Sequence, residues 1–231
     1  MIAKYTAKSF YFLVGLVFFL SVPAHAEIDD FACGSLQNSY GPYDYRSDKD
    51  KLKIVEDYHF SPGVANLSQS KTGYLGGDID YTLRAFPNHP QALMAMIKLG
   101  EREKAAKVSH ANYSVECYLT RAIRFRNDDP TVRMIYANFL AKKGRRSEAL
   151  KQLADAVTLG EDGSNFQYNV GLIYFELKEY EKSLSYAQKA YSAGFPLPGL
   201  REKLKKIGKW REPTLSGEAV PEDSQRLGEM R

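Results

Sequence analysis

The side chains able to act as nucleophiles, bases or metal ligands are few and scattered. Four histidines occur, His25, His59, His89 and His110, and two cysteines, Cys33 and Cys117. A Cys117–His110 pair could in principle form a thiolate dyad. No glycine-rich oxyanion loop or orienting acid accompanies it, so the sequence does not assemble a hydrolase site. No His or Cys pair has metal-ligand spacing, and no glycine motif for phosphate is present. His89, between Asn88 and Pro90, suits a loop cap better than a base. The expectation is a protein that is not an enzyme and has no catalytic residues, metal or cofactor.

Basic residues cluster twice. Arg121, Arg124 and Arg126 share one segment, and Arg201, Lys203, Lys205, Lys206, Lys209 and Arg211 share another. In the second, Leu200, Leu204 and Ile207 fall on one helical face, which reads as a cap on the segment before it with a charged face toward water. Trp210 suits an anchor for that cap. The formal net charge is only +4. Lys4 and Lys8 contribute to it from the leader described next, so nothing in the balance calls for nucleic acid.

The elements that must carry these residues begin with a targeting signal. Lys4 and Lys8 precede an apolar run from Phe10 to Val22, followed by Ala24-His25-Ala26. The run is shorter than the ~20 residues of a membrane span, and its end has the form signal peptidase accepts. Cleavage between Ala26 and Glu27 is expected, with a periplasmic or secreted mature chain and no transmembrane span. An oxidising compartment favours a Cys33–Cys117 disulfide, and two buried free thiols are the alternative.

An internal period of 34 residues organises the rest. Ala122, Ala156 and Ala190 recur in phase, as do Leu119, Leu153 and Ala187, and Val115, Ala149 and Ser183. Tyr136-Ala137 and Val170-Gly171 pair a large residue with a small one, and Leu140 and Tyr174 follow. Small residues at fixed places let paired helices approach, and larger ones fill the space between units. Asp129-Pro130 is a helix start, Ser164 with Gln167 has capping-box spacing, and Gly144, Gly160, Gly163 and Gly194 punctuate the units.

This pattern resembles the tetratricopeptide repeat (TPR) superfamily over about 92–197, with full units at 130–163 and 164–197. The fold so implied is all-α: a TPR-type α-solenoid of about three helix-turn-helix units, with an irregular N-terminal arm and a C-terminal capping helix. Segment boundaries are expected at 1–26 (signal), 27–60 (arm), 61–91 (degenerate helical unit), 92–197 (solenoid), 198–211 (cap) and 212–231 (polar tail). Within the degenerate unit, helices are expected near 62–70 and from Asp78 to Phe86, while Lys51 to Phe60 fits neither helix nor strand cleanly. Cys33-Gly34, Gly41-Pro42-Tyr43-Asp44-Tyr45, Tyr81-Thr82-Leu83-Arg84-Ala85 and Glu116-Cys117-Tyr118 further resemble a family of exported bacterial TPR proteins. That resemblance speaks to location and fold, not to activity.

The resemblance also implies a binding face. In peptide-binding TPR domains, asparagines placed like Asn138 and Asn169 hold a ligand backbone or terminal carboxylate, and a basic residue stands where Lys203 falls. Met134 stands where the carboxylate-binding type has lysine, a departure from terminal-carboxylate capture. The 165–177 helix is apolar on two sides: Phe166, Val170, Ile173, Tyr174 and Leu177 on one, Tyr168, Leu172 and Phe175 on the other. The second stripe, with Met134, Asn138 and Ala141 of the preceding unit, is expected to line a groove for a peptide, unless the arm or the cap fills it. The functional expectation is a scaffold binding a protein or peptide of the bacterial cell envelope. The alternative is an accessory subunit meeting glycan or membrane through Tyr40, Tyr43 and Tyr45 of the arm or through the basic C-terminal helix.

Overall fold

A computed structural model describes residues 33–160 and 163–213. The leader at 1–26 and most of the tail at 212–231 lie outside these residues, so the expectations placed there are not addressed by the fold. Among the described residues there are ten helices and no strand: α1 (Lys49–His59), α2 (Pro62–Ala65), α3 (Leu75–Ala85), α4 (Pro90–Glu103), α5 (Val115–Phe125), α6 (Pro130–Lys142), α7 (Arg146–Leu159), α8 (Ser164–Glu176), α9 (Tyr180–Ser192) and α10 (Gly199–Lys206).

Local chemistry sets the helix ends. Asp129 caps α6, its carboxylate accepting from the Val132 N–H at 3.1 Å with Pro130 at the first helical position. His89 caps α4 in the same way, through Nδ1 to the Ala92 N–H at 3.3 Å. The three-residue turn between α6 and α7 needs the left-handed Gly144 (φ 74°). Of Lys51 to Phe60, all but Phe60, the C-cap, resolves as helix within α1. The helix near 62–70 shrinks to the four residues of α2, because the chain turns left-handed at Leu67 (φ 58°). The capping box at Ser164 is not formed. Gly163 is the N-cap of α8 and Ser164 is already helical, so its hydroxyl is one position too late to cap. The last helix is also shorter than 198–211 and ends at Lys206.

The helices stack in two rows. α2, α4, α6, α8 and α10 lie side by side, each against the next, and α3, α5, α7 and α9 form the second row with α1 added against α3. The in-phase small residues sit between the rows: Ala122, Ala149, Ala156, Ser183, Ala187 and Ala190 are all fully buried. At Gly171 a Cβ would stand 2.7 Å from Leu200 Cδ2 and 3.4 Å from the Ala187 nitrogen, so a larger residue would push Leu200 aside where α8 meets α9 and α10. The adjacent Ser183 hydroxyl donates to the Gly171 carbonyl at 2.9 Å, which satisfies both groups in the core.

The arm, 33–48, lies on the second row. Cys33 is joined to Cys117 of α5 in a disulfide. Arg121, 2% exposed, donates to the carbonyls of Cys33, Gly34 and Ser35 at 2.9, 3.2 and 2.7 Å, and Arg124 also donates to Gly34. Further along, Tyr43 N–H donates to Ala85 O at 2.8 Å, and Asp44 accepts from Asn88 Nδ2 at 2.7 Å and from the Arg46 guanidinium. Arg126 reaches Asp44 at 3.2 Å. The first arginine cluster thus serves as an internal clamp on the arm.

His89 sits where arm, α1 and α4 converge. It is fully buried, its ring centroid 4.5 Å from Tyr45 and 4.8 Å from Phe60, with Nε2 3.3 Å from Glu56 Oε1. Burial holds the imidazole down at about 4, with the Lys49 charge acting in the same direction and a backbone hydrogen bond opposing it. Burial works to raise the Asp44 carboxyl, but hydrogen bonds from the Arg46 side chain and backbone and from Asn88 outweigh it and hold it at about 2. Both groups bind protons more weakly folded than unfolded, so both stabilise above the unfolded value and lose that contribution as pH falls. For His89 the loss runs from its ordinary 6.5 down to about 4 and amounts to about 3 kcal/mol. Asp44 follows only below the ordinary carboxylate range. Urea unfolding across this interval should show stability falling with pH. His89→Asn, which keeps a capping acceptor without a titrating ring, should flatten the profile; an unchanged slope in that variant would remove His89 as its source.

Candidate functional site

Two ion pairs identify which helix faces share a side of the first row. Lys142 of α6 meets Glu101 of α4 at 3.0 Å, and Lys203 of α10 meets Glu176 of α8 at 3.4 Å. Counting back by helical spacing, Lys98 and Met94 join Glu101, Asn138 and Met134 join Lys142, and Leu172, Asn169 and Asn165 join Glu176. This surface runs along α4, α6, α8 and α10. The arm does not cover it, since the arm lies across α3 and α5.

The middle of the face belongs to α6. Met134 and Ala141 are half-buried against the main core, so they form a floor. Asn138 stands between them, half-buried, with no hydrogen-bond partner among the described residues. Met94 of α4 is 42% exposed at the edge. Thioether side chains give such a surface an adaptable apolar character, and a free amide supplies one donor and one acceptor for a peptide backbone. The sequence reading did not single out Met94; its exposure follows only once α4 is placed beside α6.

The α8 part of the expected set divides. Asn169 is engaged locally, its Nδ2 donating to Asn165 O at 2.9 Å and to Asn165 Oδ1 at 3.2 Å. Tyr168, expected on an open groove, is instead closed off at 9% exposure. Its ring stacks on Phe195 at 4.0 Å, meets Tyr191 edge-on at 6.3 Å and clusters with Leu200 and Leu204. Leu172 and Phe175 are half-buried against the same cluster. The cause is α10, which continues the first row and covers the second apolar side of α8 with its own apolar stripe. Lys203 lies 5.2 Å from the Phe175 ring centroid as well as beside Glu176, so it finishes this cover. The face left open therefore centres on Met134, Asn138 and Ala141.

The arm tyrosines are structural. Tyr40, Tyr43 and Tyr45 are half-buried against Leu52, Val55, Ala85 and Phe86. The basic C-terminal helix is partly neutralised, with Lys205 near Glu202 and with Lys209 and Arg211 near Glu181. Trp210 packs edge-on to Tyr191 at 5.8 Å. Cys117 has no free thiol, because it is bonded to Cys33, and His110 stacks on Tyr74 at 3.5 Å. Among the described residues no group of three His, Cys, Asp or Glu side chains is placed to hold a metal ion, and no helix is long and apolar enough to cross a membrane. Compared with known proteins, the chain matches no family model, no curated protein and no solved structure.

Proposed function

We propose that the chain is an exported TPR-type scaffold, whose first row of helices forms a concave groove for a peptide or protein segment of the cell envelope. The 34-residue period and the two rows of paired helices support the TPR reading. The leader sequence and the bonded cysteines support export, since such bonds persist in oxidising compartments. The observation that carries the binding role is Asn138: a half-buried amide with no hydrogen-bond partner among the described residues, on an apolar floor that neither arm nor cap covers. An extended peptide offers both backbone donors and acceptors to such an amide.

Site-specific photocrosslinking tests this. A photoreactive residue at position 138 should give discrete adducts in the native envelope. The same residue at Leu159, exposed on the second row, should give few. Equal adducts at the two positions, or none at 138, would sink the groove assignment.

A further inference from the structure

The repeat phase slips once, and the slip leaves a cavity. The turns between α6 and α7 and between α8 and α9 are three residues long, whereas α4 and α5 are joined by the long segment 104–114. Val108 and Ala111 of that segment are buried in the main core, while its Ala105, Ala106 and Ser114 line one side of a half-open cavity of about 390 Å³ beside the open face, walled otherwise by α4, α5 and α6. Its floor is apolar, built from Ile97 of α4, Ala105, Val115 of α5 and Phe139 of α6. The segment is pinned rather than loose: Ala105 N–H donates to Gly100 O at 3.0 Å, and Val115 N–H donates to Ala106 O at 2.8 Å. A pre-formed apolar cavity of this size, with a few polar groups at its rim, is the usual form of a ligand site.

The rim charges are mostly spent internally. Glu116 accepts from Tyr136 at 2.7 Å and pairs with Arg145 at 2.5 Å, and Arg145 also reaches Glu148. Glu101 is held by Lys142. Lys143 differs: it has no acidic partner among the described residues, and its ammonium stands 5.7 Å from the Phe139 ring centroid, at the mouth. An apolar floor beside one cation that makes no ion pair among the described residues complements an apolar group carrying a nearby anion.

We infer that this cavity anchors the groove's partner by taking an apolar side chain whose neighbouring residue is Asp or Glu, the carboxylate meeting Lys143. This inference rests on the peptide-binding reading and names the chemistry of its ligand. The chain folded with its disulfide intact should be titrated, with amide resonances followed by NMR, with acetyl-Phe-Glu-amide and with the isosteric acetyl-Phe-Gln-amide. The glutamate peptide should shift the amides of Ile97, Val115 and Phe139 and bind about threefold to fivefold more tightly than the glutamine peptide, the range of an exposed ion pair. Lys143→Gln, an exposed change, should erase that difference while leaving the weaker binding. Ala105→Phe should fill the cavity and weaken both peptides more than tenfold; if that variant does not fold, Lys143→Gln still decides. Equal binding of the two peptides, or shifts centred elsewhere, would overturn the inference. Discrete adducts at position 138 with a silent cavity would overturn it without touching the groove, whereas silence at both would overturn the two together.

Discussion

Replacing both cysteines, Cys33→Ser with Cys117→Ser, is expected to lower stability by about 4–5 kcal/mol in the chain-entropy argument for a loop this long. The bond spans a sequence separation of 84 residues and encloses α1 to α4. For a chain of this size that corresponds to a fall in Tm of roughly 10 °C or more. The native protein under reducing conditions should fall to the same midpoint as the variant. A loss under about 1 kcal/mol would mean that non-covalent contacts already hold the arm in the unlinked chain, contrary to the entropic account.

Arg121→Met is the second large effect, expected at about 3–5 kcal/mol. The guanidinium is 2% exposed and supplies the donors for three successive carbonyls, at Cys33, Gly34 and Ser35. Burial pulls its pKa down, while the Tyr113 ring, 4.2 Å away, lies against its charge. Methionine fills much of the volume but leaves the carbonyls without donors in a dry site, and that loss outweighs the desolvation it relieves. All three bonds leave one nitrogen, Nη1, so Arg121→Lys should recover less than half because its shorter side chain holds the ammonium short of that point. Combined with the cysteine changes, Arg121→Met should cost less than the separate effects together, since both act on the same segment. Full additivity in chemical denaturation would show that the clamp and the bond act independently.

The parts of this fold legible in the sequence are those written locally. α6 to α9 follow from Ala149, Ala156, Ser183 and Ala190 at fixed spacing, and from the Asp129-Pro130 start. The Cys33–Cys117 pair was legible from the number of cysteines and the expectation of export drawn from the leader. The role of Arg121 and Arg124 was not, because their partners lie 88 and 90 positions away and an arm without periodicity announces no contact. Tyr168 was misplaced for a related reason. Its stripe is apolar whether it faces a ligand or α10, and only the position of Leu200 and Leu204 decides between them. The cavity at Phe139 and Lys143 was visible only as a slip of phase, which says that a loop is long and not what it encloses.

The covalent tie has a mechanical consequence. If the chain is pulled between Cys33 and its C-terminal end, tension entering at Cys33 passes through the sulfurs to Cys117, and α1 to α4 carry no load. The length hidden behind the bond is about 280 Å of extended chain, from about 3.4 Å per residue over the 84-residue separation. At the other end, α10 is held to α8 and α9 by Leu200 and Leu204 without any crosslink. Yielding should therefore begin at the C-terminal end and proceed pair by pair toward α5. A reductant should add the hidden length to the extension without changing which end gives way first.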